Sequence, residues 1–322
     1  MKALWLDGDV SLRRDLQVPR PKVGEASIRV RLAGICATDL ELMRGYYPFR
    51  GILGHEFVGE IAHAPDAPER IGERVVGEIN LSCGTCAHCV AGRRSHCKQR
   101  SVLGIKGHDG AFADYLTLPL SNLHRVPDLV SDEAAVFTEP LAAALQIPTQ
   151  IQLAPDRRVL VIGARRLGQL IARVLALGGC DLAVVARHPA QRIALESVGI
   201  VWLAEDDLRG RHWDIVVEAT GSTDGFAAAR QAVRPAGTIV LKSTYRGSVE
   251  MNLASLVVDE VRLIGSRCGP FPAALRLLQR RLLDPLDLID SRYPLTRGPD
   301  ALRRAAEPGA MKVLIDCSWE SR

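Results

Sequence analysis

The stretch RVLVIGARRLG, residues 158–168, decides the fold class. Arg158 to Ile162 is a short β-branched run, Gly163 breaks it, and apolar residues follow at helical spacing from Leu167 to Leu177. The same alternation continues downstream, with predicted strands at Leu182–Ala186, Asp214–Glu218, Thr238–Leu241 and Val261–Ile264 and a predicted helix at Pro189–Val198. Alternating strands and helices predict an α/β fold, a doubly wound parallel sheet with helices on both faces.

The turn after the first predicted strand is typical of a dinucleotide-binding loop. Gly163 makes the turn, and Gly168 lets the following helix pack closely on the strand. Arg165 stands where a second glycine usually lets the backbone approach a pyrophosphate. Its guanidinium either points outward and pairs with phosphate, or its bulk weakens or abolishes dinucleotide binding. We expect binding to be retained through Gly163, Arg165, Arg166, Leu167 and Gly168, because the βαβ pattern is intact and arginine suits phosphate recognition.

The end of the second predicted strand bears on which dinucleotide binds. NAD-binding proteins usually place an acid there for the ribose hydroxyl, but this chain has Ala186 followed by Arg187 and His188. An arginine at this point accommodates a 2′-phosphate, and Arg192 can add to the same basic patch. The sequence therefore favours NADP, with NAD as the second choice. The alternative is that Arg187 is a surface arginine with no ligand role.

Polar residues also follow two later strands. Thr220 and Gly221 come after one predicted strand, and Ser243 and Thr244 come after the next. Because ligands bind at the carboxyl ends of such strands, we assign these four residues to the nicotinamide side of the coenzyme site.

The rest of the chain has a different pattern. The short β-like runs Ser27–Ile35, Arg74–Ile79 and Ala113–Leu118 are separated by glycine and proline, which predicts a compact, mostly β domain. A helix at Pro272–Leu283, a second helix from Pro299 and a strand at Lys312–Asp316 follow the parallel sheet. We therefore expect a first domain at 1–146, a coenzyme domain at 147–269, and a segment at 270–322 that returns to the first domain.

Four cysteines form the most specific motif of the chain, Cys83-x2-Cys86-x2-Cys89-x7-Cys97. Nearby glycines allow the tight turns that wrap a tetrahedral zinc ion, and a site of four cysteines would be structural because it has no open position. An iron–sulfur cluster takes the same ligands, and unliganded surface cysteines are the remaining alternative. Eight cysteines in a chain of this size are few for a disulfide scaffold.

A second group of metal-competent side chains is dispersed over two glycine-containing turns, Gly34-Ile35-Cys36-Ala37-Thr38-Asp39 and Gly54-His55-Glu56. Alone, such a cysteine is more often a small buried residue and such a histidine more often a hydrogen-bonded core residue. Their coincidence with the four-cysteine loop and the βαβ region favours a second metal site. A zinc ion with few protein ligands keeps a position open, where it polarises a carbonyl or lowers the pKa of an alcohol.

These motifs make the chain similar, over essentially its whole length, to the zinc-dependent medium-chain dehydrogenase/reductase family of alcohol, sorbitol and threonine dehydrogenases. The resemblance rests on Cys36-x-Thr38-Asp39, Gly54-His55-Glu56-x2-Gly59, the four-cysteine loop, Glu139-Pro140, Gly163-x4-Gly168 and Glu218-x2-Gly221. It implies a GroES-like, mostly β catalytic domain and a Rossmann coenzyme domain, with a catalytic zinc in the cleft between them. It also implies a structural zinc, bound by Cys83, Cys86, Cys89 and Cys97.

The resemblance further implies roles at the catalytic zinc. Cys36 and His55 correspond to ligands of that zinc. Glu56 corresponds to a glutamate that lies beside the metal or turns onto it, and Glu139 to an acidic ligand of polyol-dehydrogenase-like members. Asp39 corresponds to the carboxylate that orients the metal-bound histidine.

Thr38 corresponds to the hydroxyl that passes the substrate proton outward. Many alcohol dehydrogenases carry a histidine three residues later, where this chain has Glu41, so the route of the proton beyond Thr38 stays open. The missing histidine and Glu139 favour a polyol or amino alcohol as substrate. We therefore expect a zinc-containing, NAD(P)-dependent alcohol dehydrogenase-like enzyme. The alternative is a non-catalytic dinucleotide or metal sensor on the same fold, with Arg165 disrupting the coenzyme loop.

Composition excludes several other classes. The chain has 322 residues, of which 47% are hydrophobic and 24% charged, so a disordered protein is not expected. A net charge of +4 is too small to indicate a nucleic-acid partner. No apolar run is long enough for a membrane span, and Asp7 and Asp9 interrupt the N-terminal run, so we expect a cytoplasmic protein.

The family resemblance implies a homo-oligomer, a dimer or tetramer, with Val261–Ile264 as the expected contact strand.

Overall fold

The computed structural model describes residues 1–208, 210, 212–244 and 248–318. The strands are β1 Ala3–Asp7, β2 Asp9–Arg13, β3 Glu25–Gly34, β4 Gly51–Ile52, β5 Glu56–His63, β6 Arg74–Gly77, β7 Asn80–Leu81, β8 Ser101–Val102, β9 Tyr115–Pro119, β10 Leu123–Arg125, β11 Arg158–Ile162, β12 Asp181–Val185, β13 Val201–Leu203, β14 Trp213–Glu218, β15 Val233–Leu241, β16 Arg262–Gly265, β17 Ile289–Pro294 and β18 Lys312–Asp316. The helices are α1 Ala37–Met43, α2 Ala87–Val90, α3 Asp132–Ala135, α4 Thr138–Gln150, α5 Arg166–Ala176, α6 Pro189–Glu196, α7 Thr223–Ala232, α8 Leu253–Val258, α9 Phe271–Gln279 and α10 Gly298–Ala306.

The chain forms two compact units, one of Met1–Glu139 with Phe271–Arg322 and the other of Pro140–Pro270. In the part of the chain that the structure describes, each helix is too short or too polar to cross a membrane.

The first unit is organised around β3. This long strand pairs antiparallel with β5, β9 and β18, and β17 continues the sheet beside β18. Gly34, at the end of β3, is paired with Glu56, at the start of β5. Because of this register, the turn that follows β3 and the turn that precedes β5 lie side by side, which brings the two dispersed motifs together.

The second unit contains a six-stranded parallel sheet in the order β13-β12-β11-β14-β15-β16. The predicted doubly wound parallel sheet is therefore confirmed. Val159 to Ile162 of β11 are buried at the centre of this sheet. The strand order reverses between β11 and β14, and ligands of such sheets bind at the carboxyl ends of the strands beside this reversal. The strand predicted at residues 261–264 is observed as β16, an edge strand.

Two helices lack a clear signal in the sequence. Helix α7 contains Gly225 and a run of alanines, so few large apolar residues mark its helical period, and its start is set by the Ser222 hydroxyl, which accepts from the Gly225 amide. Helix α4 carries an internal proline, Pro148, which weakens its pattern. The helix predicted at residues 272–283 ends at Gln279, just before Arg281 takes a left-handed φ of 53°.

Candidate active site and metal centres

The turn between β11 and α5 requires glycine at two positions. Gly163 has a φ of +104°, and a Cβ on it would lie 2.9 Å from the carbonyl carbon and oxygen of Ala219. A Cβ on Gly168 would lie 1.8 Å from the carbonyl oxygen of Gly163. The first turn of α5 therefore lies directly against the end of β11, as in a loop that presents its backbone to a pyrophosphate.

Arg165 does not disturb this turn. Its backbone is extended, with a φ of −75° and a ψ of −173°, a conformation open to any residue, and its side chain is exposed. Arg166, by contrast, is only 5% exposed, and Leu167 is half-buried. The exposed side chain accords with an outward guanidinium and leaves the glycine turn intact. The residues of this turn therefore fit a dinucleotide.

A cavity of about 270 Å³ lies at the carboxyl ends of the neighbouring parallel strands. Ile162, Arg187, Glu205 and Thr220 are among the residues that line it. The Arg187 guanidinium pairs with the Glu205 carboxylate, with Nε 2.6 Å and Nη2 2.5 Å from Oε1. Arg187 thus lies where a coenzyme arginine is predicted, but it already has an acidic partner. Glu205 escaped the sequence reasoning because it follows a different strand, β13, and only strand pairing brings it to Arg187.

The other residues predicted for the basic patch make local contacts. His188 precedes α6, and its amide and that of Arg187 donate to Gln191 Oε1 over 3.3 and 3.2 Å. Arg192 Nε donates to the carbonyl oxygen of Ala186 over 3.1 Å, and its guanidinium lies 4.3 Å from the ring centre of Trp202. These contacts fix the loop after β12, while Arg187 lines the cavity.

The loops after β14 and β15 are tied together. The Thr220 amide and hydroxyl donate to Glu218 Oε1 over 2.7 and 2.6 Å, and Glu218 is fully buried. The Gly221 amide donates to the Ser243 hydroxyl over 2.7 Å, and Thr244 is exposed. The structure therefore brings Thr220, Gly221 and Ser243 together at the predicted edge of the sheet.

The four cysteines of the loop converge on one point. Sγ–Sγ distances are 3.5 Å for Cys83–Cys97 and Cys86–Cys89 and 3.9 Å for Cys83–Cys89 and Cys86–Cys97. Tetrahedral zinc with bonds of about 2.3 Å places its sulfur ligands about 3.8 Å apart, so the cluster has the size of a zinc site. Hydrogen bonds from the backbone around Thr85 and Cys86 lower the pKa of Cys83 to about 6, whereas burial and the neighbouring thiols raise the pKa of Cys89 to about 11. A metal bound by all four cysteines would therefore have to displace the proton of Cys89.

Cys36, His55 and Glu56 form a second cluster, with one ligand atom from each lying within 4.8 Å of the others. Cys36 follows β3, and Glu56 begins β5, so the register of these two strands assembles the cluster. Thiolate, imidazole and carboxylate are all zinc ligands, and their number leaves room for a substrate. The donor set thus fits a catalytic zinc.

Asp39 connects the two turns of this cluster. Its carboxylate accepts from the Cys36 amide over 2.8 Å and from the Gly54 amide over 3.3 Å, and Oδ1 lies 3.2 Å from His55 Nδ1. Burial lowers the pKa of His55, but the charges of Asp39 and the Cys36 thiolate outweigh burial and raise this pKa well above its ordinary value. A cation bound by Cys36 and His55 would take the place of that proton, with Asp39 fixing the ring.

Lys312 is a site residue that the sequence reasoning missed. Its ammonium group pairs with Glu56 Oε2, and both side chains are only 1% exposed. Lys312 Nζ also lies 5.5 Å from the centre of the Phe137 ring. The signal was a lysine at the start of a strand whose next three residues are apolar, and the position of β18 beside β3 explains it. Glu56 is therefore held from the side of β18.

The remaining predicted site residues are more dispersed. Glu139 lies half-buried in the first turn of α4 and is outside the cluster of Cys36, His55 and Glu56, so its role as a ligand stays a prediction. Thr38 lies beside the cluster, with its hydroxyl 3.7 Å from Cys36 Sγ. Glu41 pairs with Arg44 at 2.7 Å on the exposed side of α1.

Comparisons with known proteins agree with this architecture. The model of the alcohol dehydrogenase GroES-like domain matches residues 22–128. Erythritol/L-threitol dehydrogenase of Mycolicibacterium smegmatis is 30% identical, over 92% of this chain and 91% of the relative. A zinc-binding dehydrogenase of Sinorhizobium meliloti 1021, with NADP bound, has a TM-score of 0.89 at 27% identity, over 98% of both chains. The alcohol dehydrogenase rspB of E. coli CFT073, with NADH bound, has a TM-score of 0.90 at 26% identity, over 98% of this chain and 99% of that one.

The fold and these relatives define an alcohol dehydrogenase-like oxidoreductase, with a GroES-like domain and a parallel coenzyme-binding sheet. The chain belongs to the zinc-dependent medium-chain dehydrogenase/reductase family. The resemblance seen in the sequence motifs is thereby confirmed.

Proposed function

We propose that this oxidoreductase uses a catalytic zinc bound by Cys36 and His55 to interconvert a polyol or amino alcohol and its carbonyl form, with NADP(H) as the preferred coenzyme. The observation that carries the proposal is the buried Asp39 carboxylate, which ties the Cys36 turn to the Gly54–His55 turn. Such a carboxylate orients a metal-bound imidazole and raises its basicity.

In the proposed mechanism, Cys36 and His55 hold the metal, and Glu56 lies within reach of the same point. A zinc ion there supplies an open position that polarises the substrate oxygen and lowers the pKa of an alcohol. The Thr38 hydroxyl, next to Cys36 Sγ, takes the alcohol proton and passes it outward. The Glu41 carboxylate is held by Arg44. We therefore place the end of the protein relay at Thr38, with water as the next acceptor.

The coenzyme half of the proposal rests on the second unit. The nicotinamide coenzyme supplies or accepts the hydride, and the turn from Gly163 to Gly168 presents backbone to its pyrophosphate. Thr220, Gly221 and Ser243 are assigned to the nicotinamide side. Arg187 is assigned to the 2′-phosphate, because it lines the cavity at the strand ends where an acid would favour NAD.

The substrate class follows from a relative and from Glu139. A similar chain is named an erythritol/L-threitol dehydrogenase, which acts on a polyol. A Glu139 carboxylate that reaches the metal site would suit a substrate with several hydroxyl or amino groups, because it would accept their hydrogen bonds. We also propose a cytoplasmic homo-oligomer with β16 at the contact. None of the eight cysteines, all of which the structure describes, is in a disulfide, which suits a reducing compartment.

The test is a Cys36→Ser variant beside a Cys180→Ser control, which removes a half-buried thiol of the second unit. Purified proteins are assayed for NADP⁺ reduction with erythritol, threitol, sorbitol and threonine, and zinc per chain is measured. We expect Cys36→Ser to lose at least about a hundredfold in kcat/KM and one zinc, because it removes a direct metal ligand. Undiminished turnover of Cys36→Ser would contradict the proposal.

A further inference from the structure

The cavity at the strand ends contains a cation and an anion that face each other. Arg187 follows β12, and Glu205 follows β13, the strand paired parallel to β12. The Ala186 amide donates to the Leu203 carbonyl over 3.1 Å, so the pairing of the two strands continues to the residues next to this ion pair. The partnership of Arg187 with Glu205 is therefore imposed by the sheet rather than by sequence proximity.

Glu205 engages Arg187, the arginine that the proposed function assigns to the 2′-phosphate. Glu205 Oε1 receives both Nε and Nη2 of Arg187, two of the donors that a phosphate would use. Glu205 also begins an acidic turn that continues with Asp206 and Asp207. A 2′-phosphate that approaches Arg187 must displace the Glu205 carboxylate, the partner of Arg187 in this turn.

We propose that Glu205 is a specificity-determining residue for the coenzyme, because it competes with the 2′-phosphate of NADP(H) for Arg187. This inference rests on the proposed function, since it requires a dinucleotide in this cavity. Glu205 limits the preference for NADP(H) and keeps NAD(H) usable. NAD(H) has no 2′-phosphate and leaves the ion pair in place, so its affinity does not depend on the competition.

The size of the effect follows from exposure. Arg187 is 62% exposed and Glu205 48% exposed, so solvent screens the pair and the competition is modest. Removing the charge of Glu205 should strengthen NADPH binding about three- to tenfold. NADH binding should change by less than about twofold.

The experiment measures the dissociation constants of NADPH and NADH by fluorescence titration of the zinc-loaded protein. Glu205→Gln is compared with the wild type and with Asp206→Asn, an exposed neighbour in the same turn that changes net charge equally but is not the ion-pair partner of Arg187. Arg187→Gln, and the double variant that combines it with Glu205→Gln, complete a double-mutant cycle. We expect Glu205→Gln to tighten NADPH binding, Asp206→Asn to change it by less than about twofold, and Glu205→Gln to have no effect once Arg187 is replaced.

Two results would overturn the inference while leaving the proposed function intact. In the first, the wild type binds both coenzymes, but Glu205→Gln binds NADPH no more tightly than the wild type does. The other is an equal gain in Asp206→Asn, which would assign the effect to net charge. Failure of the wild type to bind either coenzyme would overturn both the inference and the coenzyme part of the proposed function. Thermal unfolding of each variant checks that the exposed substitutions leave the fold unchanged.

Discussion

The two cysteine-containing clusters of the first unit differ in how the chain builds them. The four-cysteine loop draws all its candidate metal ligands from fifteen consecutive residues, 83–97, and every one of them is a cysteine. The second cluster draws Cys36 from the end of one strand and His55 and Glu56 from the start of another, and each residue offers a different ligand atom. The first cluster is complete in itself, whereas the second depends on Asp39 and Lys312 around it.

We propose that this difference separates a structural metal centre, in the four-cysteine loop, from a catalytic one. Four thiolates at tetrahedral spacing leave no position for a substrate, so the loop can only gain stability from its metal. The cluster of Cys36, His55 and Glu56 has fewer protein ligands, and its carboxylate is held by a buried lysine. In the proposed function, this smaller ligand set would leave one coordination position of the metal open, which chemistry at the metal requires.

The largest effect is expected when the four-cysteine loop, the closed site, loses one of its cysteines. Cys97 is fully buried, and its Sγ contacts those of Cys83 and Cys86. Cys97→Ser should lower the unfolding temperature by about 10 °C or more, because structural zinc contributes folding free energy directly. Cys36→Ser should shift it by only about 3 °C or less, because the open cluster is held by strand register. Calorimetry with zinc analysis checks this, and equal shifts would remove the distinction between the two sites.

A second effect concerns the buried ion pair at the open site. Lys312→Met leaves the Glu56 carboxylate buried without its partner, which should cost about 3–5 kcal/mol of unfolding free energy. The double variant Glu56→Gln with Lys312→Met should recover part of this loss, because it removes the uncompensated charge as well. Denaturant unfolding measures both variants. A double variant less stable than Lys312→Met alone would show that Glu56 is stabilised by another group.

The same contrast explains what the sequence could predict. The four-cysteine loop and the turn from Gly163 to Gly168 are contiguous, so spacing alone revealed them, and the parallel sheet followed from its alternating pattern. Lys312 and Glu205 were missed because each reaches its partner through strand pairing: Lys312 through β18 against β3, and Glu205 through β13 against β12. Helix α7 was missed because alanine and glycine do not mark a buried face.

A third effect concerns the residue that unites the open cluster. Asp39→Asn keeps the shape of the side chain but removes its charge, so zinc affinity and kcat/KM should fall about 10- to 100-fold. Asp66→Asn, at an exposed carboxylate that accepts from the Gly24 amide, is the control and should have little effect. Asp39 raises the pKa of His55, so the proton competes less with zinc in the variant. The loss of zinc affinity should therefore be largest at high pH and shrink as pH falls, and a loss that grows at low pH would contradict this role.

The smallest expected effect tests where the proton relay ends. Glu41 lies only three residues after Thr38, but its carboxylate pairs with Arg44, and Arg44 is 58% exposed. An exposed ion pair of this kind has a small interaction free energy, and we expect it to take no part in the proton relay. Glu41→Gln should therefore change kcat by less than about twofold at any pH. Thr38→Val, which removes the hydroxyl next to Cys36 Sγ, should lower kcat by about a hundredfold or more. Steady-state rates from pH 6 to 10 compare the two variants. If Glu41→Gln lost as much as Thr38→Val, the carboxylate would belong to the relay, and the open site would extend along α1 to solvent.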